Sequence, residues 1–450
     1  PLDDREKLQE RARLIRLFQD NAAVREKLRL LLHRLGKQDL NNITPLLWGE
    51  LPPRNPLRPL FDLLALASLL SPAAPFIWGS RALLFIPCLF AINMWVHYKV
   101  KQSFFFHLPS ISYLGSLLRT APKIASIKLP EREKYGEQLR AAAGACRKIL
   151  RHTRFLSSKA TTSDADIFLE YLKIFFLLEV RGFYAALREI DKQRSQLQAV
   201  YMRIGELDVY QSIASYRAGL DGYVEPEFVS NRAYLNVKEI WHPLLENAVP
   251  NSIEMKEQGV LITGSNMSGK TTFLRTIGVN AILAQSIYTC LASQYTGSFF
   301  KIAASLGKHD SLEEGKSLYY MEAERLLALV NAAADPAVPS LCLIDEVLSG
   351  TNYIERIAAA EAILNYLASK NALVIVATHD LDLAQKLKGA YRCYHFTDRV
   401  GPEGLYFDYI LKEGLTTTRN AIKLLEYMNY PEEIIEAAVT GVKHYLRRKS

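Results

Sequence analysis

The residues best suited to chemistry in this 450-residue sequence form one glycine-rich segment, Gly264-Ser265-Asn266-Met267-Ser268-Gly269-Lys270-Thr271. The segment has the GxxxxGK[ST] spacing, follows a short apolar run at residues 260–262 and precedes an apolar stretch that begins at Thr272. Small residues let the backbone curl so that successive N–H groups point at phosphate oxygens, and the N-terminus of a following helix adds partial positive charge. In such a loop Lys270 would bridge the β- and γ-phosphates and the Thr271 hydroxyl would ligate Mg²⁺. The segment therefore predicts a nucleotide site.

A pair of carboxylates, Asp345 and Glu346, ends a second apolar run at residues 341–344. In a nucleotide site, Asp345 would hold Mg²⁺ through water, and Glu346 would polarise the attacking water as general base. An apolar run followed by Asp-Glu is common by itself and usually marks a strand that leaves the core. Together with the glycine-rich segment, the pair predicts a site of ATP hydrolysis.

A histidine, His379, follows a third apolar run at residues 374–376. A histidine at this place can contact the γ-phosphate and sense hydrolysis, whereas an isolated histidine on a loop more often faces solvent. Ligands of open α/β sheets gather at the carboxyl ends of the strands. Because three such motifs follow one another in order, a functional role for His379 is favoured.

The elements that must position these motifs alternate between strand and helix from about residue 225 to the C-terminus. Runs at 259–263, 341–344 and 372–377 have the continuous apolar character of buried parallel strands. Before that boundary, helical periodicity predicts one helix over residues 1–36 and further helices over 131–156 and 165–218. We therefore predict a helical region over 1–224 and an α/β domain over 225–450.

Two uncharged runs, 63–80 and 82–98, are separated only by Arg81 and lie inside the helical region. Each run is about 17–18 residues, at the lower limit for crossing a bilayer. Basic residues flank the pair, namely Arg54, Arg58, Lys99 and Lys101. One interpretation is a membrane hairpin at about residues 60–98 with both basic ends in the cytoplasm. The other is a buried helical pair in a soluble domain, which the prolines within the runs favour.

The composition of the chain limits the classes of protein to which it can belong. Hydrophobic residues make up 49% and charged residues 23% of the chain, which excludes a disordered, collagen-like or disulfide-rich protein. The net charge of +8 permits an anionic partner such as DNA or lipid headgroups without requiring one. Five cysteines without a CxxC pair make a zinc site or a disulfide framework unexpected. Because the first residue is Pro1, we expect a piece of a longer protein.

From about residue 204 onward the sequence resembles the ATPase domain of the MutS proteins, within the ABC-type ATPases. The likeness includes the Asn-Met pair of the glycine-rich segment, the Trp241-His242-Pro243 element, and the stretches Asp310-Ser311-Leu312-Glu313-Glu314-Gly315-Lys316-Ser317 and Gly350-Thr351-Asn352. The resemblance implies an α/β P-loop ATPase domain of the MutS/ABC type behind an all-α lever region that carries the apolar hairpin. It also implies ATP and Mg²⁺ as ligands, with the segment from Gly264 to Thr272 around the phosphates and Val249 near the adenine.

The resemblance further implies a homodimer with composite sites, in which Ser317 touches the partner's γ-phosphate and C-terminal helices contribute to dimerisation. Several positions depart from the family pattern: Leu348-Ser349, Glu355-Arg356, and Asp380 after the histidine. The mismatch-reading domain with its Phe-x-Glu wedge is not among these residues. Phe168 and Glu170 have that letter pattern, but helical periodicity predicts Phe168 to be a core residue. We expect a divergent member.

Two functions follow from this interpretation. The first is an ATP-dependent protein acting on double-stranded or branched DNA in mismatch repair or recombination. The alternative is a membrane-anchored, ATP-driven mechanical or signalling module that no longer binds DNA, with residues 60–98 in lipid and the ATPase domain on the cytoplasmic side of the inner membrane. A transport ATPase is less favoured, since the sequence has no Leu-Ser-Gly-Gly-Gln signature.

Overall fold

The computed structural model describes residues 4–36, 42–53, 55–127, 133–153, 156, 164–229, 232–265, 267–307, 318–348, 352–401, 404–416 and 421–449. The chain divides into two compact units, one formed by Arg13–Ala218 and the other by Pro1–Ala12 with Gly219–Ser450. The N-terminal residues belong with the second unit because Arg5 bonds to the carbonyl oxygen of Phe228, and Arg11 Nη1 lies 3.4 Å from that of Ser286. We call the two units the helical unit and the α/β unit.

The regular elements described in the helical unit are all helices. They are α1 (Arg5–Asp20, which starts in the α/β unit), α2 (Ala22–Gly36), α3 (Thr44–Trp48), α4 (Arg58–Leu70), α5 (Ala74–Trp78), α6 (Phe85–Phe104), α7 (Leu108–Ala125), α8 (Glu133–Ala145), α9 (Arg147–Thr153), α10 (Asp164–Phe175), α11 (Leu178–Lys192) and α12 (Arg194–Ala218). Short 3₁₀ turns join α4 to α5, α5 to α6, and α6 to α7.

Three predicted helical stretches are divided in the structure, and the one over residues 131–156 consists of α8 and α9 in its described part. The helix predicted over residues 1–36 is two helices that meet at Asn21, an amide residue whose Nδ2 donates to Leu17 O at 2.9 Å. The stretch predicted over 165–218 is three helices. It breaks at Leu177, which has a left-handed φ of 49°, and at Gln193, whose φ of −109° is not helical. Helical periodicity continued across these breaks, so sequence spacing alone did not reveal them.

The apolar hairpin lies on α4, α5 and α6 and is mostly uncovered. Two continuous helical stretches, Arg58–Trp78 and Ser80–Ala125, are long and apolar enough to cross a membrane, by length and composition only. Their most apolar windows are only 28% and 17% buried within the chain. Large apolar side chains are exposed along both arms: Leu63, Leu66, Leu69, Phe76, Trp78, Leu84, Phe85 and Trp95. A buried helical pair would need these side chains covered, and the described residues do not cover them.

Helix α10 extends the same apolar surface. Its inner side packs on α6, where the Phe90 ring lies 6.1 Å from the rings of Tyr171 and Phe175. Its outer side leaves Ile167 53% and Phe168 64% exposed. The prediction that Phe168 is a core residue was therefore wrong. The α10 sequence is apolar at residues 167–169 as well as on the side that packs on α6, and the first group stays exposed.

A charged cluster lies where α6 meets α10 and α11. Ligand atoms of His97, Glu170 and Glu179 lie within 4.8 Å of one another, an arrangement that could suit a metal ion. Each carboxylate already has an ammonium partner, however: Lys101 lies 2.6 Å from Glu179 and Lys173 lies 3.1 Å from Glu170. Because the two lysines balance the two carboxylates, the cluster needs no cation for neutrality.

The α/β unit contains the remaining elements. Its described strands are β1 (Glu227–Val229), β2 (Tyr234–Ile240), β3 (Asn251–Lys256), β4 (Gly259–Thr263), β5 (Gln294–Ser298), β6 (Lys301–Ser305), β7 (Ser340–Asp345), β8 (Ala372–Ala377), β9 (Tyr391–His395), β10 (Asp398–Gly401), β11 (Gly404–Phe407) and β12 (Lys412–Glu413). Its helices are α13 (Lys270–Ile287), α14 (Leu318–Ala333), α15 (Tyr353–Ala368), α16 (Leu381–Lys386), α17 (Ala421–Tyr427) and α18 (Glu432–Lys449).

The described strands form a six-stranded sheet in the order β12-β9-β4-β8-β7-β6, a four-stranded sheet in the order β1-β5-β2-β3, and the β10-β11 pair. In the six-stranded sheet all neighbours are parallel except β12 and β9. The residues of β4 and β8 are buried throughout, as continuous apolar runs in a two-sided sheet require. Ala377 is in register with both Ile262 and Asp345. The carboxyl ends of β4, β7 and β8 therefore lie side by side, together with the three motifs that follow them.

Candidate nucleotide site

The glycine-rich loop, residues 264–271, follows β4 and leads into α13. Its backbone takes left-handed conformations that glycine permits, with φ of 148° at Gly264 and 105° at Gly269. A Cβ on Gly264 would lie 2.8 Å from Ser268 Oγ and 3.0 Å from Phe396 O, so a larger residue would force the loop open. Met267 also has a positive φ, 70°, and its side chain is 81% exposed. Asn266 lies outside the described residues.

Lys270, at the first position of α13, folds back into this loop. Its side chain is buried, and Nζ donates to Gly264 O at 2.9 Å and to Ser265 O at 2.7 Å. Burial lowers the pKa of Lys270, and the nearby carboxylates of Glu346 and Asp345 oppose that shift. An ammonium group held inside a curled loop at a helix N-terminus is the arrangement that binds phosphate oxygens.

Two serine hydroxyls of the loop support the same interpretation. Ser265 Oγ and Ser268 Oγ are buried and have no hydrogen-bond partner in the part of the chain that the structure describes. Buried hydroxyls without a partner are costly, and donors that face an anion site gain one when the anion binds. The residues present therefore fit a phosphate group.

Thr271 and Asp345 form a pair of oxygen ligands beside the loop. Thr271 Oγ1 donates to Asp345 Oδ2 at 2.7 Å, which joins the first turn of α13 to the end of β7. Hydroxyl and carboxylate oxygens are the ligands that Mg²⁺ prefers, alongside water and phosphate. The donor set thus fits the magnesium ion that the sequence predicted. Thr272 follows in the same helical turn, where its carbonyl oxygen accepts from Thr276 Oγ1.

Glu346 and His379 meet at this edge of the sheet. Glu346 Oε1 lies 2.8 Å from His379 Nδ1, and Glu346 N donates to Ala377 O at 2.9 Å. Glu346 has a φ of 64°, a conformation that a non-glycine residue seldom adopts and that is common at functional sites. The hydrogen bond to Glu346 raises the pKa of His379, against the opposing effect of partial burial. A carboxylate and an imidazole in contact can hold and move a proton.

Two residues of the candidate site were not identified from the sequence. A Cβ on Gly269 would lie 3.2 Å from Tyr409 Cδ1, so the Tyr409 ring lies against the loop at Gly269. Asn251 fixes the backbone of Tyr409, since its Nδ2 donates to Tyr409 O at 3.0 Å and to Val249 O at 3.2 Å. Val249 is 38% exposed, and Asn251 connects its carbonyl oxygen to that of Tyr409. No spacing in the sequence relates Tyr409 to residue 269, because the contact depends on the β10-β11 hairpin.

Some predicted residues cannot be placed. Ser317 and the preceding residues from Asp310 lie outside the described residues, as do Ser349, Gly350 and Thr351. Asn352 is described and caps α15, where its Oδ1 accepts from Ile354 N at 3.0 Å. The structure thus brings five predicted residues together within one unit, namely Lys270, Thr271, Asp345, Glu346 and His379. The contacts across a dimer stay a prediction.

Comparison with known proteins gives a consistent result for the same part of the chain. The family model of MutS domain V matches residues 260–445. The DNA mismatch repair protein MutS of Thermus thermophilus is 31% identical over 260 residues, covering 57% of this chain and 31% of that protein. The corresponding protein of Aquifex pyrophilus is 32% identical over 277 residues, covering 57% and 30%. That of Staphylococcus haemolyticus is 31% identical over 275 residues, covering 58% and 30%. The match spans about a third of the length of these relatives.

Proposed function

Because this chain belongs to the MutS family through the domain matched at residues 260–445, we propose that its α/β unit is an ATPase of the P-loop type that binds ATP with Mg²⁺ and hydrolyses it to ADP and phosphate. The observation that carries the proposal is the meeting of five side chains at one sheet edge. Lys270 lies in the loop, Thr271 bonds to Asp345, and Glu346 bonds to His379. Phosphate binding, metal binding and proton transfer are thus available at adjacent strand ends.

Each residue has a distinct role in this proposal. Lys270 leaves its two carbonyl partners and binds the β- and γ-phosphates, while the N–H groups of the loop bind the remaining oxygens. Thr271 and Asp345 would hold Mg²⁺, which supplies charge stabilisation to the phosphates when bound. Glu346 takes a proton from the attacking water, and His379 orients the Glu346 carboxylate through the bond at Nδ1. Tyr409 provides a flat surface beside the loop at Gly269.

The proposal extends to a homodimer that acts on DNA. The relatives named above are DNA mismatch repair proteins, and the net charge of +8 suits an anionic partner. By the family resemblance, Ser317 and residues 350–352 belong to the segments that connect two ATP sites, and α17 and α18 to the dimer contact. ATP binding would then close the dimer and move the helical unit.

DNA binding is the test that separates the two candidate functions. ATP-loaded protein carrying Glu346→Gln is expected to bind double-stranded or branched DNA with an affinity that falls steeply as salt is raised. Each phosphate contact contributes about −0.9 to the slope of log K against log salt on duplex DNA. The measurement is fluorescence anisotropy with homoduplex, mismatched and four-way-junction DNA across a salt series. Lys270→Ala protein, which should not load ATP, is the matched control.

The outcome decides between the functions. A preference for one of the three DNAs would identify the substrate class. Failure to bind any of them at low salt, while ATP remains bound, would contradict the role on DNA and leave the alternative of a membrane-anchored module.

That alternative rests on a separate observation, the uncovered apolar surface of the helical unit. We propose that α4 to α6 insert into the cytoplasmic membrane as a hairpin, with the α/β unit in the cytoplasm. Leu69 is 64% exposed and Phe76 91% exposed, without a covering neighbour in the described chain. Exposed patches of this kind mark membrane or protein contacts. Trp95, with Lys99 Nζ 5.7 Å from its ring, has the character of a residue at the membrane–water interface.

Charged substitutions should abolish membrane binding. Leu69→Asp combined with Phe76→Asp is expected to release the protein from vesicles, because each carboxylate in the bilayer costs about 2.5–3.5 kcal/mol. The measurement is flotation with vesicles of phosphatidylcholine and phosphatidylserine. Leu327→Asp, on the 58%-exposed Leu327 of α14, is the control and should float like the unmodified chain. Unmodified protein that stays monodisperse in buffer without detergent and does not float would overturn the proposal.

A further inference from the structure

Two residues that depart from the family pattern form an ion pair beside the candidate site. Arg356 Nη2 lies 2.8 Å from Asp380 Oδ2, and the side chains are only 17% and 9% exposed. Arg356 lies in the first turn of α15, and Asp380 immediately follows His379. The pair therefore joins the start of α15 to the loop between β8 and α16, the loop that carries His379.

A second contact joins the same two segments. The Tyr353 hydroxyl donates to Asp382 Oδ2, and the Arg356 guanidinium lies 5.4 Å from the centre of the Tyr353 ring. Guanidinium and ring thus pack on each other while each bonds to a carboxylate of the facing segment. Because an aromatic face favours a nearby cation, the two contacts support one another. We call the four residues, Tyr353, Arg356, Asp380 and Asp382, the clamp.

The side chain of Asp380 forms this ion pair and does not cap α16. Asp380 is at the N-cap position of α16, where aspartate commonly accepts from a backbone N–H, yet it makes no such bond. Its backbone N–H donates instead to Thr378 Oγ1 at 3.1 Å. The residues on both sides of His379 are therefore fixed, one through Thr378 and the other through Arg356. An ion pair that is mostly buried restricts geometry more than an exposed one.

We propose that Arg356 is a positioning residue for hydrolysis: through the clamp it holds the His379 loop so that Nδ1 stays in contact with the Glu346 carboxylate. This inference rests on the proposed ATPase function and adds to it a residue outside the three motifs. It also connects the first turn of α15 to the site, so that a shift of α15 would act on His379 through Arg356.

The electrostatic setting of His379 allows the positioning role to be separated from simple loss of stability. The charged groups facing the imidazole are Glu346 from the end of β7, Arg356 from α15 and Asp380 from its own loop. Arg356 disfavours the protonated imidazole, whereas Glu346 and Asp380 favour it. Removing either member of the ion pair breaks the same contact. By charge alone, however, loss of Arg356 would raise the pKa of His379 and loss of Asp380 would lower it.

The test compares Arg356→Met and Asp380→Asn with the unmodified protein. Arg356→Met keeps the aliphatic stem, and Asp380→Asn keeps the shape, so both are expected to fold. Each should lower kcat about tenfold with the KM for ATP changed less than about twofold, since small misplacements of a catalytic group cost rate rather than binding. Arg356→Lys, which keeps the charge, should recover part of kcat. In an NMR titration of the nucleotide-free protein, the pKa of His379 should fall in both variants, because each loosens the contact with Glu346 that is the largest cause of its raised value. It should fall further in Asp380→Asn, which also loses a carboxylate that favours the protonated imidazole.

Lys386→Ala is the matched control. Lys386 of α16 pairs with Glu361 of α15 at 2.7 Å, so it links the same two helices away from the His379 loop, and its loss should leave kcat and the His379 titration unchanged. An unmodified protein that hydrolyses ATP at the same rate as both clamp variants would overturn the positioning role alone. Opposite shifts of the His379 pKa, a rise in Arg356→Met and a fall in Asp380→Asn, would mean that the contact with Glu346 persists without the clamp, and would also overturn it. Absence of turnover in the unmodified protein would instead overturn the proposed ATPase function, and the inference with it.

Discussion

Replacing Lys270 with alanine is expected to abolish ATP binding. Lys270 Nζ is the cation inside the glycine-rich loop, where it donates to two carbonyl oxygens at 2.9 and 2.7 Å. In the bound form it exchanges those carbonyls for phosphate oxygens. Removing one partner of a buried charged contact costs about 2–5 kcal/mol, which corresponds to a loss of affinity of roughly 30-fold to several thousandfold. Equilibrium binding of a fluorescent ATP analogue with Mg²⁺ measures the loss directly.

The control for this variant is its stability without nucleotide. Lys270→Ala leaves Gly264 O and Ser265 O without their donor, but it also removes a buried ammonium whose pKa is lowered by burial. The two effects oppose each other, so the melting temperature of the nucleotide-free protein should change little. Lys256→Ala, which removes an exposed lysine of the same unit, should bind ATP normally. ATP affinity within about threefold of the unmodified protein in Lys270→Ala would contradict the assignment of the loop.

The central part of the candidate site could be predicted from the sequence because its residues follow strands. Apolar runs before Gly264, Asp345 and Thr378 indicated three buried strands, and parallel strands place their carboxyl ends at one edge. In the structure Ala377 is in register with both Ile262 and Asp345, so the three strands end side by side. Residue type and spacing were enough to predict these positions, because a parallel sheet brings the carboxyl ends of neighbouring strands to one edge.

Contacts made by side chains from distant elements could not be predicted in this way. Arg356 and Asp380 were each noted as a departure from the family pattern, but nothing in the sequence connected the two. They pair because α15 and α16 pack against each other after a reversal of the chain. Likewise the exposure of Phe168 depends on which neighbour covers α10, and periodicity reports only that one side is apolar. Tyr409 reaches Gly269 through the β10-β11 hairpin, a route that sequence spacing does not encode.

Replacing Glu346 with glutamine is expected to preserve ATP binding and stop hydrolysis. Glutamine has the shape of glutamate and can keep a hydrogen bond to His379 Nδ1, but it cannot accept a proton from water. Loss of a general base typically lowers the rate about 10²–10⁴-fold. Single-turnover hydrolysis should therefore slow by at least about 100-fold while the affinity for ATP changes less than about threefold. Turnover at the unmodified rate would assign the base to another group.

The same variant tests two neighbouring parts of the mechanism. Its amide cannot hold a protonated imidazole as a carboxylate does, and the bond to Glu346 is the largest cause of the raised pKa of His379. The pKa of His379 should therefore fall in Glu346→Gln, and an NMR titration would detect the change without any nucleotide. With ATP bound and hydrolysis blocked, a dimer that closes around ATP should also accumulate. Light scattering that shows a monomer under these conditions would contradict composite sites while leaving Glu346 as the base, because proton transfer needs only the contacts within one chain.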